Sequence, residues 1–168
     1  SIASDGNLEG GIKSVAFNWH PTSGSLISDF YVKVGAESYH HSCSAVSGTF
    51  PFSQDFNVTK NTTLSIEVAS KIGTSGQAYQ VIGPVTITPY LLYTTKNAEA
   101  SAVNGAYTNT DLINNTTGTA VEYSLEDNEE EATIDTETGA VTILKEGQVK
   151  VVASWGEVST SYILTTHA

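Results

Sequence analysis

The chain reads as all-β, two β-sandwiches in tandem, because its apolar residues recur at every second position, its composition suits strands, and its length fits two such modules. Threonine and serine number 22 and 19 among 168 residues, and the branched β-carbon of threonine fits a pleated strand while its hydroxyl stays wet on the solvent face. No extended window carries a 3.6-residue apolar period, so helices are expected to be absent or short. Two sandwiches of about 80 to 90 residues each account for the whole length, whereas one would need long unstructured loops.

Residues 1–10 read as a flexible lead-in. Val15, Phe17 and Trp19 then alternate with Ser14, Ala16 and Asn18, which predicts a strand with one apolar face. A loop through His20 to Gly24 follows, after which Phe30, Val32 and Val34 alternate with Tyr31 and Lys33. Leu64, Ile66 and Val68 alternate with Ser65 and Glu67, and the glycine-bearing stretch 73–77 turns the chain into 79–82 and a closing strand at 85–88. Pro89 cannot donate to a central ladder. The module boundary is therefore placed there, giving modules 1–88 and 89–168.

The second half repeats the pattern more clearly. Ala132, Thr133 and Ile134 form a short alternating run, and Asp135 to Gly139 supply turn chemistry ending in a glycine free to take positive φ. Val141, Thr142 and Ile143 alternate again before Lys145, Glu146 and Gly147 turn the chain once more. Val149, Val151, Ala153 and Trp155 share a face opposite Lys150 and Ser154, and Tyr162 with Leu164 continues the period of two.

These residues carry a resemblance. The order ATID, a turn with glycine, AVTILKEGQVKVVASW and then STSYILT resembles the bacterial immunoglobulin-like group 2 domain over roughly the last 50 residues. The series SVAFNWHPTSG, ISDFYVKV and FNVTKNTTLSIEVASKIGTSGQAYQVIGPVTIT is similar to a fibronectin type III domain, with Trp19 where that family buries a tryptophan on its second strand. It departs from that family at the strand beginning with Leu64, which lacks the usual corner tyrosine. The resemblance implies tandem immunoglobulin-like β-sandwiches of bacterial surface and secreted proteins or of phage virions, and no catalytic residues to carry over. On that basis the chain is expected to be a non-enzymatic bacterial cell-surface or secreted protein, serving cell adhesion or acting as a structural spacer or display module. The alternatives are a carbohydrate-binding accessory module of a polysaccharide-utilisation system and a phage tail or decoration component.

Charge excludes several partners. With a formal net charge of -11 and no arginine, the chain lacks the bidentate guanidinium suited to phosphate or guanine, so nucleic acid and anionic membranes are not expected partners. Residues 1–88 carry six acids and four lysines, net -2, while 89–168 carry twelve acids and three lysines, net -9. No stretch approaches a membrane span of about 18 apolar residues. The chain opens at Ser1 without a basic and apolar leader, and the expected location is extracellular or at the bacterial surface, with a signal sequence removed. A protein or glycan ligand within a larger surface assembly is the expected partner.

Candidate chemistry is sparse. Eight acids lie between Glu122 and Glu137, yet they lack the alternating Asp/Asn ladder with a central glycine that folds a loop around calcium, so a solvated loop is the favoured reading. His40, His41 and Cys43 include soft ligands but no second pair, and His20 and His167 are remote in sequence. Cys43 has no disulfide partner, and its nearness to His41 falls short of a catalytic pair with an orienting third group. The stretch 73–76 lacks the lysine of a phosphate loop, and no serine sits in a Gly-x-Ser-x-Gly elbow. Sequons at Asn57, Asn61, Asn114 and Asn115 are expected in loops and to arise by chance. Tyr39, Tyr90, Tyr93 and Tyr107 have rings suited to stacking on sugars but are expected to pack in cores or across sheets. No catalytic, cofactor-binding or metal residue is therefore assigned, and no cofactor is expected.

Overall fold

Inward side chains recur at alternate positions along the longer strands, and that period produces an all-β molecule with no helix among the described residues. The computed structural model describes residues 2–7, 9–19, 27–34, 36–45, 50–59, 63–72, 76–78, 85–101, 105–116, 120–127 and 129–167. They fall into two units, Ser1–Leu8 with Ile12–Thr88 and Glu9–Gly11 with Pro89–Ala168.

The first unit contains β1 (Ile2–Asn7), β2 (Ile12–Trp19), β3 (Ile27–Val34), β4 (Glu37–Ala45), β5 (Phe50–Val58), β6 (Thr63–Ile72), β7 (Gly76–Ala78) and β8 (Val85–Pro89). One sheet runs β1-β6-β3-β4 with β7 also on β6, and a second runs β5-β2-β8. Residues 2–7, expected to be part of a lead-in, instead form β1. Their pattern IASDGN has no clean apolar face, so the strand was illegible locally. Antiparallel pairing of Ile2 with Ile66 and of Asn7 with Thr63 supplies its ladder. Along β2, Val15 and Phe17 are buried while Asn18 is exposed. Phe17 lies opposite Phe52 of β5, and their rings stack at 4.7 Å, the cross-strand aromatic pair that stabilises a sheet face. Phe56 of β5 meets Tyr39 of β4 edge to face at 4.6 Å, so an aromatic contact links the two sheets. Pro51 and Pro89 lie on β5 and β8, the outer strands of their sheet, where a missing N–H is tolerated. Residues 79–82, expected to form part of a strand, lie outside the described residues.

The second unit contains β9 (Leu91–Tyr93), β10 (Asn97–Ser101), β11 (Ala106–Tyr107), β12 (Leu112–Asn114), β13 (Glu122–Glu126), β14 (Ala132–Ile134), β15 (Val141–Ile143), β16 (Gly147–Trp155) and β17 (Val158–His167). Its sheets run β10-β17-β16-β13, β11-β15-β14 and β12-β9. β16 and β17 pair antiparallel from Gly147 opposite Thr166 to Trp155 opposite Val158, and β10 joins β17 in parallel. Val149, Val151 and Ala153 of β16 point inward with Val158, Tyr162 and Leu164 of β17. They share one core with Leu91, Tyr93, Ala132 and Val141, so strands from all three sheets close on the same interior. This sandwich-like arrangement is compatible with immunoglobulin-like modules. Trp155, aligned by sequence with the inward valines, is only half-buried where β16 ends.

The turn between β14 and β15 follows from its residues. The Asp135 carboxylate accepts the backbone N–H groups of Glu137 at 2.9 Å and Thr138 at 3.0 Å, and Gly139 N–H closes onto Asp135 O at 2.9 Å. Gly139 has φ +74, and a Cβ there would lie 2.7 Å from the Tyr123 ring, so both backbone and packing require glycine.

Buried polar groups are matched one by one. Thr160 and Thr166 point inward, contrary to the expectation that strand threonines face solvent, because each hydroxyl meets a backbone group the ladders leave over. Thr160 Oγ1 accepts the N–H of Tyr93 at 3.0 Å, and Thr166 Oγ1 donates to Lys145 O at 2.9 Å. Glu9 does the same at the edge. Its Oε1 accepts Ser161 N–H at 3.0 Å just ahead of where β10 begins, while its Oε2 pairs with Lys96. Gly10 O accepts Leu91 N–H at 3.4 Å, and a Cβ on Gly10 would collide with the Leu91 carbonyl. The exception is the Tyr162 hydroxyl, buried without a hydrogen-bond partner among the described residues.

An isosteric pair of variants tests this matching. Thr160→Val strands the buried Tyr93 N–H and is expected to lower stability by about 1–3 kcal/mol, whereas Tyr162→Phe removes an unmatched hydroxyl and leaves stability equal or higher by about 1 kcal/mol. Urea denaturation, read in the transition that Trp155 fluorescence reports, checks the order of the two.

Candidate functional site

The acidic stretch 122–137 begins on β13, where the register with β16 places Glu122 opposite Ser154 and Glu126 opposite Lys150. Glu122, Ser124 and Glu126 are exposed, and Tyr123 and Leu125 between them are half-buried. The sheet therefore presents alternate carboxylates on its outer face. Lys150 Nζ reaches Glu126 Oε2 at 2.9 Å, and Lys145 Nζ lies 3.3 Å from Glu130 and 3.6 Å from Glu131. Glu131 O also accepts the N–H groups of Leu144 at 2.9 Å and Lys145 at 3.3 Å, which fastens the connection into β14 against the end of β15. Exposed ion pairs of this kind contribute little each to stability. Their main effect is to fix where the carboxylates point.

Glu126, Glu130, Glu131 and Asp135 thus each face a lysine or a backbone amide of their own unit. Among the described residues no three His, Cys, Asp or Glu side chains gather where a metal ion would sit, and calcium takes 6–8 oxygens, so about that many would have to converge. His40, His41 and Cys43 all fall on β4, and their side chains lie outside the described residues, as does His20. His167 ends β17, with Nε2 4.0 Å from Glu99. Residues 73–75 are outside the description, and β6 and β7 on either side of them pair antiparallel. Asn57 and Asn114 lie on strands rather than in loops, and the Asn115 side-chain amide donates to Pro89 O at 2.7 Å. Asn61 lies outside the described residues.

The tyrosines divide. Tyr93 is buried, with its ring edge-on to Tyr162 at 4.8 Å, and Tyr107 approaches Tyr162 at 6.2 Å. Burial raises both the Tyr93 and Tyr162 phenols far above their ordinary range, keeping them neutral. Tyr39 packs on Phe56. Tyr90 pairs with half-buried Trp155, centroids 5.5 Å apart, which among the described residues leaves that pair as the aromatic feature nearest to a stacking platform.

A cleft of about 710 Å³ lies along β13 and is lined by Glu122, Tyr123, Ser124, Thr136, Glu137 and Ser154 among others. A second, about 350 Å³, shares Ser124 and Thr136 and adds Leu125, Glu129, Ala132 and Ile134. Between them Tyr123 N–H donates to Thr136 O at 3.0 Å. A cleft of about 270 Å³ in the first unit is lined by Phe17, Phe52, Pro51 and Thr86 among others and holds no titratable side chain. The paired clefts could not be read from the sequence, because they depend on which sheet each of β13 and β14 joins. The acidic spacing alone suggested only a loop.

No family model matches this chain, and neither a curated protein nor a solved structure is detectably similar to it.

Charge makes the turn at Asp135 a pH reporter. Hydrogen bonds from Thr138 and Glu137 amides hold its carboxyl below the ordinary 3.8. A depressed folded value means the stabilisation is fully present above 3.8 and is lost as pH falls through the lower folded value. Asp135→Asn keeps an oxygen acceptor but does not titrate, so its deficit in stability is expected at neutral pH and is expected to close in acid. Urea midpoints of both chains across the acid range measure this, and a deficit that persists unchanged in acid contradicts it. Lys145 and Lys150 have the opposite sign: hydrogen bonds to Glu130 and Glu126 raise them above 10.5, so their contribution is present below 10.5 and fades as pH rises through the raised values.

Proposed function

We propose that the chain is a tandem of immunoglobulin-like β-sandwich modules, fibronectin type III-like over 1–88 and bacterial immunoglobulin-like group 2-like over 89–168, acting without catalysis as a spacer or display element in adhesion at a bacterial surface. The observation that carries this reading is where the polar side chains of the second unit go. Glu9, Thr160 and Thr166 each close a backbone position, Asp135 holds a turn, and Lys96, Lys145 and Lys150 face carboxylates. Catalysis asks the reverse, that nucleophile, base and orienting group converge on one pocket. The sequence similarity over 132–164 and the shared core of the three sheets support the same module type. A module of strands suits a spacer because its core is closed by packing between strands distant in sequence.

Carbohydrate binding is the second reading, favoured by the half-buried Tyr90–Trp155 pair. Tyr93 weighs against it, since its ring is committed to the core. A glycan array at physiological salt, with and without calcium, separates the two. The spacer reading expects no saturable glycan binding in either condition. A saturable affinity abolished by Trp155→Ala would replace it with the carbohydrate-binding reading.

A further inference from the structure

β13 is the outer strand of its sheet, and the Thr136 carbonyl meets its free side at Tyr123. In an antiparallel ladder the N–H and C=O of one residue face the same neighbour. Tyr123 N–H turns to Thr136 O rather than to β16, so Tyr123 and Leu125, two residues apart, aim their backbone groups away from the sheet. Among the described residues the Leu125 N–H and C=O and the Tyr123 C=O have no backbone partner.

The side chains beside this edge differ along its length. The 710 Å³ cleft carries the exposed carboxylates of Glu122 and Glu137 with the Ser124 and Ser154 hydroxyls. The 350 Å³ cleft is walled by Leu125, Ala132 and Ile134, with Leu125 and Ile134 half-buried. An added strand places same-face side chains about 7 Å apart. Successive side chains on one face of such a strand would therefore meet an acidic recess and then an apolar one.

We propose that this edge accepts a short extended segment of a partner polypeptide carrying a lysine or arginine near Glu122 and Glu137 and an aliphatic residue near Leu125 and Ile134. Main-chain pairing at Leu125 and at the Tyr123 carbonyl supplies the attachment, as in β-strand addition, and the two recesses supply selection. Charge complementarity sets the occupant. The second unit holds twelve acids and three lysines, so a second copy of its own acidic strands is repelled and a cationic segment is attracted. The partner is a protein, which goes beyond the spacer role and stands or falls separately from the glycan result.

The alternative role for acids on an open edge is defence against pairing, and the experiment distinguishes the two. The probe is a short synthetic peptide in which lysine and valine alternate with threonine, titrated into the full chain at physiological salt and followed by calorimetry and by amide exchange. The proposal expects saturable one-to-one binding, new protection of the Leu125 amide, and affinity about tenfold weaker for the chain with Glu122→Gln and Glu137→Gln. It also expects a peptide with proline at its centre to lose binding while keeping its charge. Equal binding by the proline peptide or by oligolysine would show attraction by charge alone and would overturn the proposal. Absence of saturable binding would overturn it as well, in favour of a guarded edge.

Discussion

The pairing of β16 with β17 is the constraint on which the second unit depends. Its register runs unbroken from Gly147 opposite Thr166 to Trp155 opposite Val158, and it sets one inward row of Val149, Val151 and Ala153 beside another of Val158, Tyr162 and Leu164. A one-residue slip would turn each of those side chains outward. Fully burying a valine or leucine contributes about 1.5–3 kcal/mol, so the period-two row specifies the register strongly. The rest of the four-stranded sheet is attached to this pair: β10 to β17 and β13 to β16.

Polar contacts then fix what apolar packing leaves free. Thr160 ties β9 to the hairpin through the Tyr93 N–H, and Glu9, distant by 152 positions from Ser161, serves as acceptor ahead of the start of β10. Such links close long loops, and their entropic cost must be met before they form. They are consistent with a unit whose order is assembled after the local hairpin, and whose acidic outer face is oriented by lysines paired across the register.

The hairpins from 132 to 164 were legible in the sequence because alternation and turn chemistry are local signals. β14 and β15 fall at the alternating triplets, and Asp135 and Gly139 make the turn their chemistry suggests. The strand at 2–7 was missed because IASDGN has no apolar period and owes its order to β6. Thr160 and Thr166 were read as solvent-facing by composition, yet backbone groups distant in sequence recruit them inward. Trp155 follows the inward parity but sits at a strand end, where burial lapses. For the candidate site, the acids of 122–137 were visible, but the clefts beside β13 arise from non-local sheet pairing that no spacing encodes.

If the other strands depend on the β16–β17 pair, that pair is the most stable element of the second unit. Native-state amide hydrogen exchange tests it directly, since amides that open only on global unfolding exchange slowest. The slowest exchange in the second unit is expected at the paired residues 149–153 and 160–164, with β10 and the outer side of β13 opening at lower free energy. Slower exchange in β10 or β12 than in the hairpin would contradict it.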